Sequence, residues 1–238
     1  ATDGTNLIFR AITFLAREAG GRLPEFSLEC ENRIPLERGL GSSSAAIVGG
    51  LLIANHLLEV KLSPEGLLEL AADLEGHADN VAPALRGGLV IAYLGANGWR
   101  AEHLLPHPDL RPVLLIPLEE RFATEDSRRV LPTHVTRSDA SFNVARSGLL
   151  TLALTQRPDL LIEALEDRLH QPFRLPQVPS IRAVFEEIRA RGVPVCLAGA
   201  GPALLAFEGV GGALPPLGPN WRVERTSIRE EAAGVRSD

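Results

Sequence analysis

The run PLERGLGSSSAA, Pro35 to Ala46, constrains this chain more than any other stretch. Gly39 and Gly41 flank Leu40, three serines follow, and Ser43 to Leu58 continues as an alanine- and leucine-rich segment with the pattern of a helix. Such a peptide must turn tightly and then open a helix. The first N–H groups of a helix have no partner inside it, and its dipole adds positive charge there, so the arrangement suits a phosphate. Glycine permits close backbone approach, and serine hydroxyls add donors or reach a metal ion. The Gly-Lys-Ser/Thr ending of a Walker A loop is missing, so this is not the usual P-loop. A plain glycine turn with serine caps uses the same residues, and the loop alone does not choose between the two.

The surrounding pattern mixes helix and strand. Leu7, Ile8, Ala11, Ile12, Phe14 and Leu15 share one face of a helix over Asn6 to Glu18, ended by Gly20-Gly21. Phe26, Leu28 and Cys30 alternate with polar residues and predict a strand leading to the loop. Inside the helix after the loop, Gly49-Gly50 costs about 1 kcal/mol per glycine relative to alanine and points to close packing. Ser63-Pro64-Glu65 opens a further helix that ends near Glu75. Strands are predicted over Gly87 to Leu94, Arg111 to Pro117, Val193 to Leu197, Ala203 to Phe207 and around Trp221 to Val223. Helices are predicted over Ser138 to Leu154, Pro158 to Leu169 and Pro179 to Ala190. Helices and strands do not alternate strictly, so the expected class is α+β. The polar, proline-bearing stretch from Ala101 to Pro112 is the expected seam between domains at 1–107 and 108–238.

Two other stretches concentrate chemistry. EGHADNVAPALRGG, Glu75 to Gly88, gathers Glu75, His77, Asp79 and Asn80 at a helix end. A carboxylate here can ligate Mg²⁺ while its neighbours bind a hydroxylated substrate. Equally, Asp79 or Asn80 can cap the next helix and His77 can simply be solvated. LAGAGPALLAF, Leu197 to Phe207, places Gly199 and Gly201 in a tight turn after a strand, for a phosphate or for a bend alone.

Several classes are excluded. A net charge of -6 argues against binding that depends on neutralising nucleic-acid phosphates. The longest apolar runs are too short to span a bilayer, and the N-terminal residues lack the pattern of a secretion signal. Two distant cysteines, Cys30 and Cys196, form no metal or redox spacing, which fits a reducing cytoplasm.

In their order and spacing, PLERGLGSSSAA, EGHADNVAPALRGG and LAGAGPALLAF resemble three motifs of the GHMP kinase superfamily. The middle motif resembles the homoserine kinases in particular, as do SFNVARSGLL, Ser141 to Leu150, and DRLHQPFR, Asp167 to Arg174. The resemblance implies two domains, one like ribosomal protein S5 and one ferredoxin-like. It also implies transfer of a phosphoryl group from ATP, with Mg²⁺, to the side-chain hydroxyl of L-homoserine in threonine biosynthesis. Pro35, Gly39, Leu40, Gly41, Ser42, Ser43 and Ser44 would hold ATP, and Ser43 would stand near Mg²⁺. Glu75 would be the metal carboxylate, with Glu69 as a rival. His77, Asp79 and Asn80 would meet the substrate, Arg174 and Arg146 its carboxylate, and Gly199 and Gly201 would line its pocket. Asp79 is a possible proton acceptor, a role the resemblance leaves open together with a homodimer.

Members of the family carry an earlier motif, expected well before Asn6, whose strands pair with the sheet. Without those strands the sheet is expected to have an open hydrophobic edge. A GHMP kinase for another alcohol such as mevalonate, and a non-catalytic relic, are the competing expectations.

Overall fold

Asn6 starts the first helix, α1 (Leu7–Glu18), because its side-chain oxygen accepts the N–H groups of Ile8 and Phe9 that the helix leaves unpaired. The computed structural model to which α1 belongs describes residues 4–122 and 124–236. They divide into two compact units: residues 1–34, 41–105 and 229–238 form the first, and residues 35–40 and 106–228 the second.

In the first unit, α1 buries Ala11, Ile12, Leu15 and Ala16. It packs against α2 (Ser42–Leu57) at Gly50, where an added Cβ would strike the Ile8 carbonyl and the Ala11 methyl. Gly49 meets nothing within 4 Å, so only one glycine of the pair is demanded by packing. The Ser63 hydroxyl accepts the Gly66 N–H and opens α3 (Pro64–Glu75), a cap worth about 1 kcal/mol. Gly76, at φ +83°, ends α3 and turns the chain toward α4 (Val81–Arg86). Ile12, Leu51, Leu68 and Val81 meet in the core.

Strands β1 (Leu89–Gly95) and β2 (Gly98–Leu104) form an antiparallel hairpin that pairs Gly95 with Gly98. Strand β2 occupies the start of the stretch read as an interdomain seam. Its polar residues Arg100 and Glu102 concealed the alternation by which Trp99 and Ala101 pack on the core.

The strand expected over Phe26 to Cys30 does not form. Phe26 and Leu28 are half-buried against the core while Ser27 and Glu29 are exposed, so the alternation is real. The segment is extended but joins no ladder among the described residues, and backbone pairing is what defines a strand.

The second unit contains a four-stranded antiparallel sheet ordered β4-β5-β3-β6, from β3 (Pro112–Pro117), β4 (Val195–Leu197), β5 (Leu204–Phe207) and β6 (Trp221–Arg225). Leu204 is opposite Leu115 on one side and Leu197 on the other. Helix α9 (Pro179–Ala190) adds Ile181, Phe185 and Ile188 to this core. Between β3 and α9 lie α5 (Thr124–Arg129), α6 (Arg137–Thr155), α7 (Leu161–Ala164) and α8 (Gln171–Arg174).

The single helix expected over Pro158 to Leu169 is instead a 3₁₀ turn, Pro158–Leu160, followed by α7. Past the end of α7, the Asp167 carboxylate accepts the N–H groups of Leu169, His170 and Gln171, which holds the turn into α8.

Two short segments group with the unit that is not their neighbour in sequence. Pro35–Leu40 belongs with the second unit, where buried Arg38 donates to the carbonyls of Pro117, Leu118 and Leu36. Arg229–Asp238 belongs with the first, where Gly88 N–H donates to the Arg229 carbonyl and Ala233 N–H to that of Leu85.

Candidate active site

Gly41, at φ +75°, is the residue before α2 and supplies no side-chain cap. The N–H groups of Ser42, Ser43 and Ser44 therefore open the helix without intrahelical partners, the geometry that attracts an anion. The Ser42 hydroxyl receives the Asn32 amide at 3.2 Å. The hydroxyls of Ser43 and Ser44 both donate to one oxygen of Glu75, at 2.6 and 3.1 Å. Glu75, the last residue of α3, is mostly buried, with 10% of its side chain exposed. Two sequence motifs thus meet at one carboxylate.

His77 continues the cluster. Its Nδ1 lies 2.5 Å from Asp79 Oδ1, and its Nε2 lies 4.0 Å from Glu75. Asp79 is exposed, and Asn80 precedes α4 without using its amide to cap it. That amide oxygen is 4.0 Å from where a Cβ on Gly41 would stand. Glu69 is engaged elsewhere: its carboxylate accepts the Trp99 N–H at 2.7 Å and braces the β1–β2 hairpin.

This oxygen set suits Mg²⁺, which prefers hard ligands and is commonly held by one or two carboxylates with substrate phosphates. Among the described residues, no group of three or more His, Cys, Asp or Glu could hold a metal by itself.

In the second unit, Gly39 lies against the turn from Ala198 to Gly201. A Cβ on Gly39 would run into the Ala198 carbonyl and the Gly201 backbone, and a Cβ on Gly199 would meet the Gly39 carbonyl. The Ala203 N–H donates to the Arg38 carbonyl at 3.3 Å. The start of the first motif and the glycine turn of the third are therefore in backbone contact. Pro35, half-buried, and Leu40 complete that end of the loop.

Arg174 sits at the end of α8. Its guanidinium donates to the carbonyls of Ser127 at 3.2 Å and Gly199 at 3.3 Å, and reaches His170 Nδ1 at 3.3 Å. Burial lowers its pKa, Asp167 opposes that shift, and the charge of Arg128 adds to it. Beside Arg174 is an apolar crevice lined by Phe122, Leu175, Val178 and Pro202.

Arg146 has other partners. It donates to Glu166 at 3.0 Å and stacks on the Phe142 ring at 4.5 Å.

Among the described residues, no helix is long and apolar enough to cross a membrane. The family model for the GHMP kinases N terminal domain matches residues 6–88. The homoserine kinase of Mycolicibacterium vanbaalenii is 44% identical over 87% of this chain and 68% of its own length. That of Streptomyces avermitilis is 39% identical over 98% and 78% respectively. The crystal structure of homoserine kinase from Cytophaga hutchinsonii has a TM-score of 0.77 at 22% identity, covering 95% of this chain and 77% of that one. At that identity the likeness speaks for the fold. The chain spans from 64% to 78% of the length of its curated relatives. The α+β expectation holds, and the chain belongs to the homoserine kinase family of the GHMP kinases, which are small-molecule kinases.

Proposed function

We propose that this chain transfers a phosphoryl group from MgATP to the side-chain hydroxyl of L-homoserine, giving O-phospho-L-homoserine for threonine biosynthesis in the cytoplasm. The observation that carries this reading is Glu75, a mostly buried carboxylate joined to Ser43 and Ser44 at the opening of α2. A carboxylate there would repel phosphate unless a cation stood between them. Glu75 and Ser43 are accordingly the residues that would hold Mg²⁺, and Glu69, committed to Trp99, is not. When bound, the ion neutralises phosphate charge as the transfer proceeds.

The chain's own groups supply the rest by positioning. N–H groups of Ser42 to Ser44 cradle phosphate oxygens, Gly41 lets the backbone approach, and Pro35, Gly39 and Leu40 shape the preceding peptide. Asp79, oriented by His77, accepts a hydrogen bond from the substrate hydroxyl, and Asn80 fixes its direction. Arg174 binds the homoserine carboxylate, for which a planar two-pronged donor is suited. We give Arg146 a structural role on Glu166 and Phe142. Gly199 and Gly201 form the wall beside Arg174.

The test is phosphate transfer from MgATP to a panel of L-homoserine, L-serine, L-threonine and mevalonate, followed by ³¹P NMR. Product from homoserine with little from the others is expected. A preference for mevalonate sinks the assignment, and failure to bind MgATP sinks the kinase reading.

A further inference from the structure

Arg174 can act on a substrate only if α8 is held still, and α8 has just four residues, too few to hold their own shape. Asp167 supplies the anchor. Its Oδ1 accepts the Asn143 amide at 2.7 Å and the Leu169 N–H at 3.1 Å, and its Oδ2 accepts the N–H groups of His170 at 2.8 Å and Gln171 at 2.7 Å. The side chain is 8% exposed. A buried carboxylate with four donors has no capacity left for a reactant, so its work is to hold the backbone.

Asn143, on α6, closes the arrangement from the other side. While its amide donates to Asp167, its carbonyl accepts the Arg168 N–H at 3.0 Å. The pair forms a two-bond clip between α6 and the entry to α8. Next to Asn143 in sequence, the Phe142 ring carries the guanidiniums of Arg146 and Arg168 at 4.5 and 3.9 Å. Further along, Gln171 ties α8 to β4 by accepting the Leu197 N–H at 2.9 Å. Arg174 follows three residues later with its guanidinium on Ser127, Gly199 and His170.

We propose that Asn143 is a positioning residue for the reaction: clipped to Asp167, it fixes α8 so that the Arg174 guanidinium meets the substrate carboxylate. The inference rests on the homoserine reading for its kinetic consequence, but not for its structural one. A fully satisfied polar pair defines one geometry where apolar contact would tolerate several, and a shift of about 1 Å in a binding group can cost about a hundredfold in rate.

The experiment uses the whole protein and three variants: Asn143→Ala, Asn143→Gln and Asp167→Asn. In Asp167→Asn an amide faces an amide, and one of the two accepting oxygens is lost. Steady-state kinetics give KM for L-homoserine and for MgATP separately, and ¹⁵N NMR follows the Nε–H of Arg174, assigned by its loss in Arg174→Lys. The single variants are expected to raise KM for homoserine about tenfold, equivalent to about 1.4 kcal/mol, with KM for MgATP unchanged. They should also expose the Arg174 Nε–H to exchange. Asn143→Gln serves if Asn143→Ala does not fold. Folded variants that leave KM and the Arg174 signal unmoved overturn the proposal. If the wild-type protein does not phosphorylate homoserine, the functional reading fails while the Arg174 signal still decides the clip.

Discussion

The Ser43 hydroxyl donates to the Glu75 carboxylate across 2.6 Å although 32 positions separate the two residues. That bond fixes where negative charge stands relative to the opening of α2. Glu75→Gln keeps the size and a hydrogen-bonding oxygen but removes the charge. It is expected to lower kcat about a hundredfold or more while changing folding stability by only about 1 kcal/mol. Ser43→Ala should cost less in kcat. Mg²⁺ titration of activity beside urea denaturation checks both, and a Glu75→Gln enzyme of normal kcat at ordinary Mg²⁺ counts against the assigned role.

Two glycines predict opposite outcomes on substitution by alanine. At Gly39, with φ +72°, a Cβ meets the Ala198 carbonyl and the Gly201 backbone, none of which can move freely. Gly39→Ala should cost about 2–3 kcal/mol in stability and weaken ATP binding. At Gly148, inside exposed α6, a Cβ meets nothing within 4 Å, so Gly148→Ala should be stabilising by about 0.5–1 kcal/mol. Thermal melts with and without nucleotide compare the pair.

Acid should weaken the second unit in two stages. Burial pushes the His170 imidazole below its ordinary 6.5, an effect that Asp167 opposes and Arg174 reinforces. Burial would raise Asp167, but the N–H groups of His170 and Gln171 and the Asn143 amide outweigh it and hold the carboxyl below its ordinary 3.8. A folded-state pKa below the unfolded value means that the unfolded chain takes up the proton first. Each contribution is therefore present above the unfolded pKa and is lost as pH falls toward the folded one. Urea midpoints should decline as pH drops below about 6.5 and again below about 4. His170→Gln should flatten the first decline and Asp167→Asn the second.

Arg174 and Arg146 should separate cleanly in kinetics. Arg174→Lys retains charge but loses the planar fork, and should raise KM for homoserine about tenfold or more. Arg146→Gln, which breaks the Glu166 pair and the Phe142 stack, should cost about 1 kcal/mol of stability and leave that KM within about twofold. A large rise in KM for Arg146→Gln would return the carboxylate role to it.

Local structure was legible wherever a residue acts on its own neighbours. Ser63 caps the helix it precedes, and the apolar stripe of α1 faces the core, both within a few residues of the signal. The candidate site was half legible. Glycine and serine before a helix announce an anion site through backbone geometry alone, and the order of the three motifs adds the family.

What the sequence by itself determined is thus the longer helices α1, α2, α3, α6 and α9, the α+β class and the chemistry available at each motif, because capping, periodicity and side-chain charge are local properties. Only the tertiary structure decided which distant groups share one place. It set Glu75 rather than Glu69 beside Ser43, brought Gly39 onto the Ala198–Gly201 turn, and sent Arg146 to Glu166. It also left Phe26 and Leu28 extended without a ladder, since a strand exists only where a second strand lies within hydrogen-bonding reach. Such outcomes depend on how separate elements pack, and no spacing along the chain encodes the distance between side chains that different elements carry.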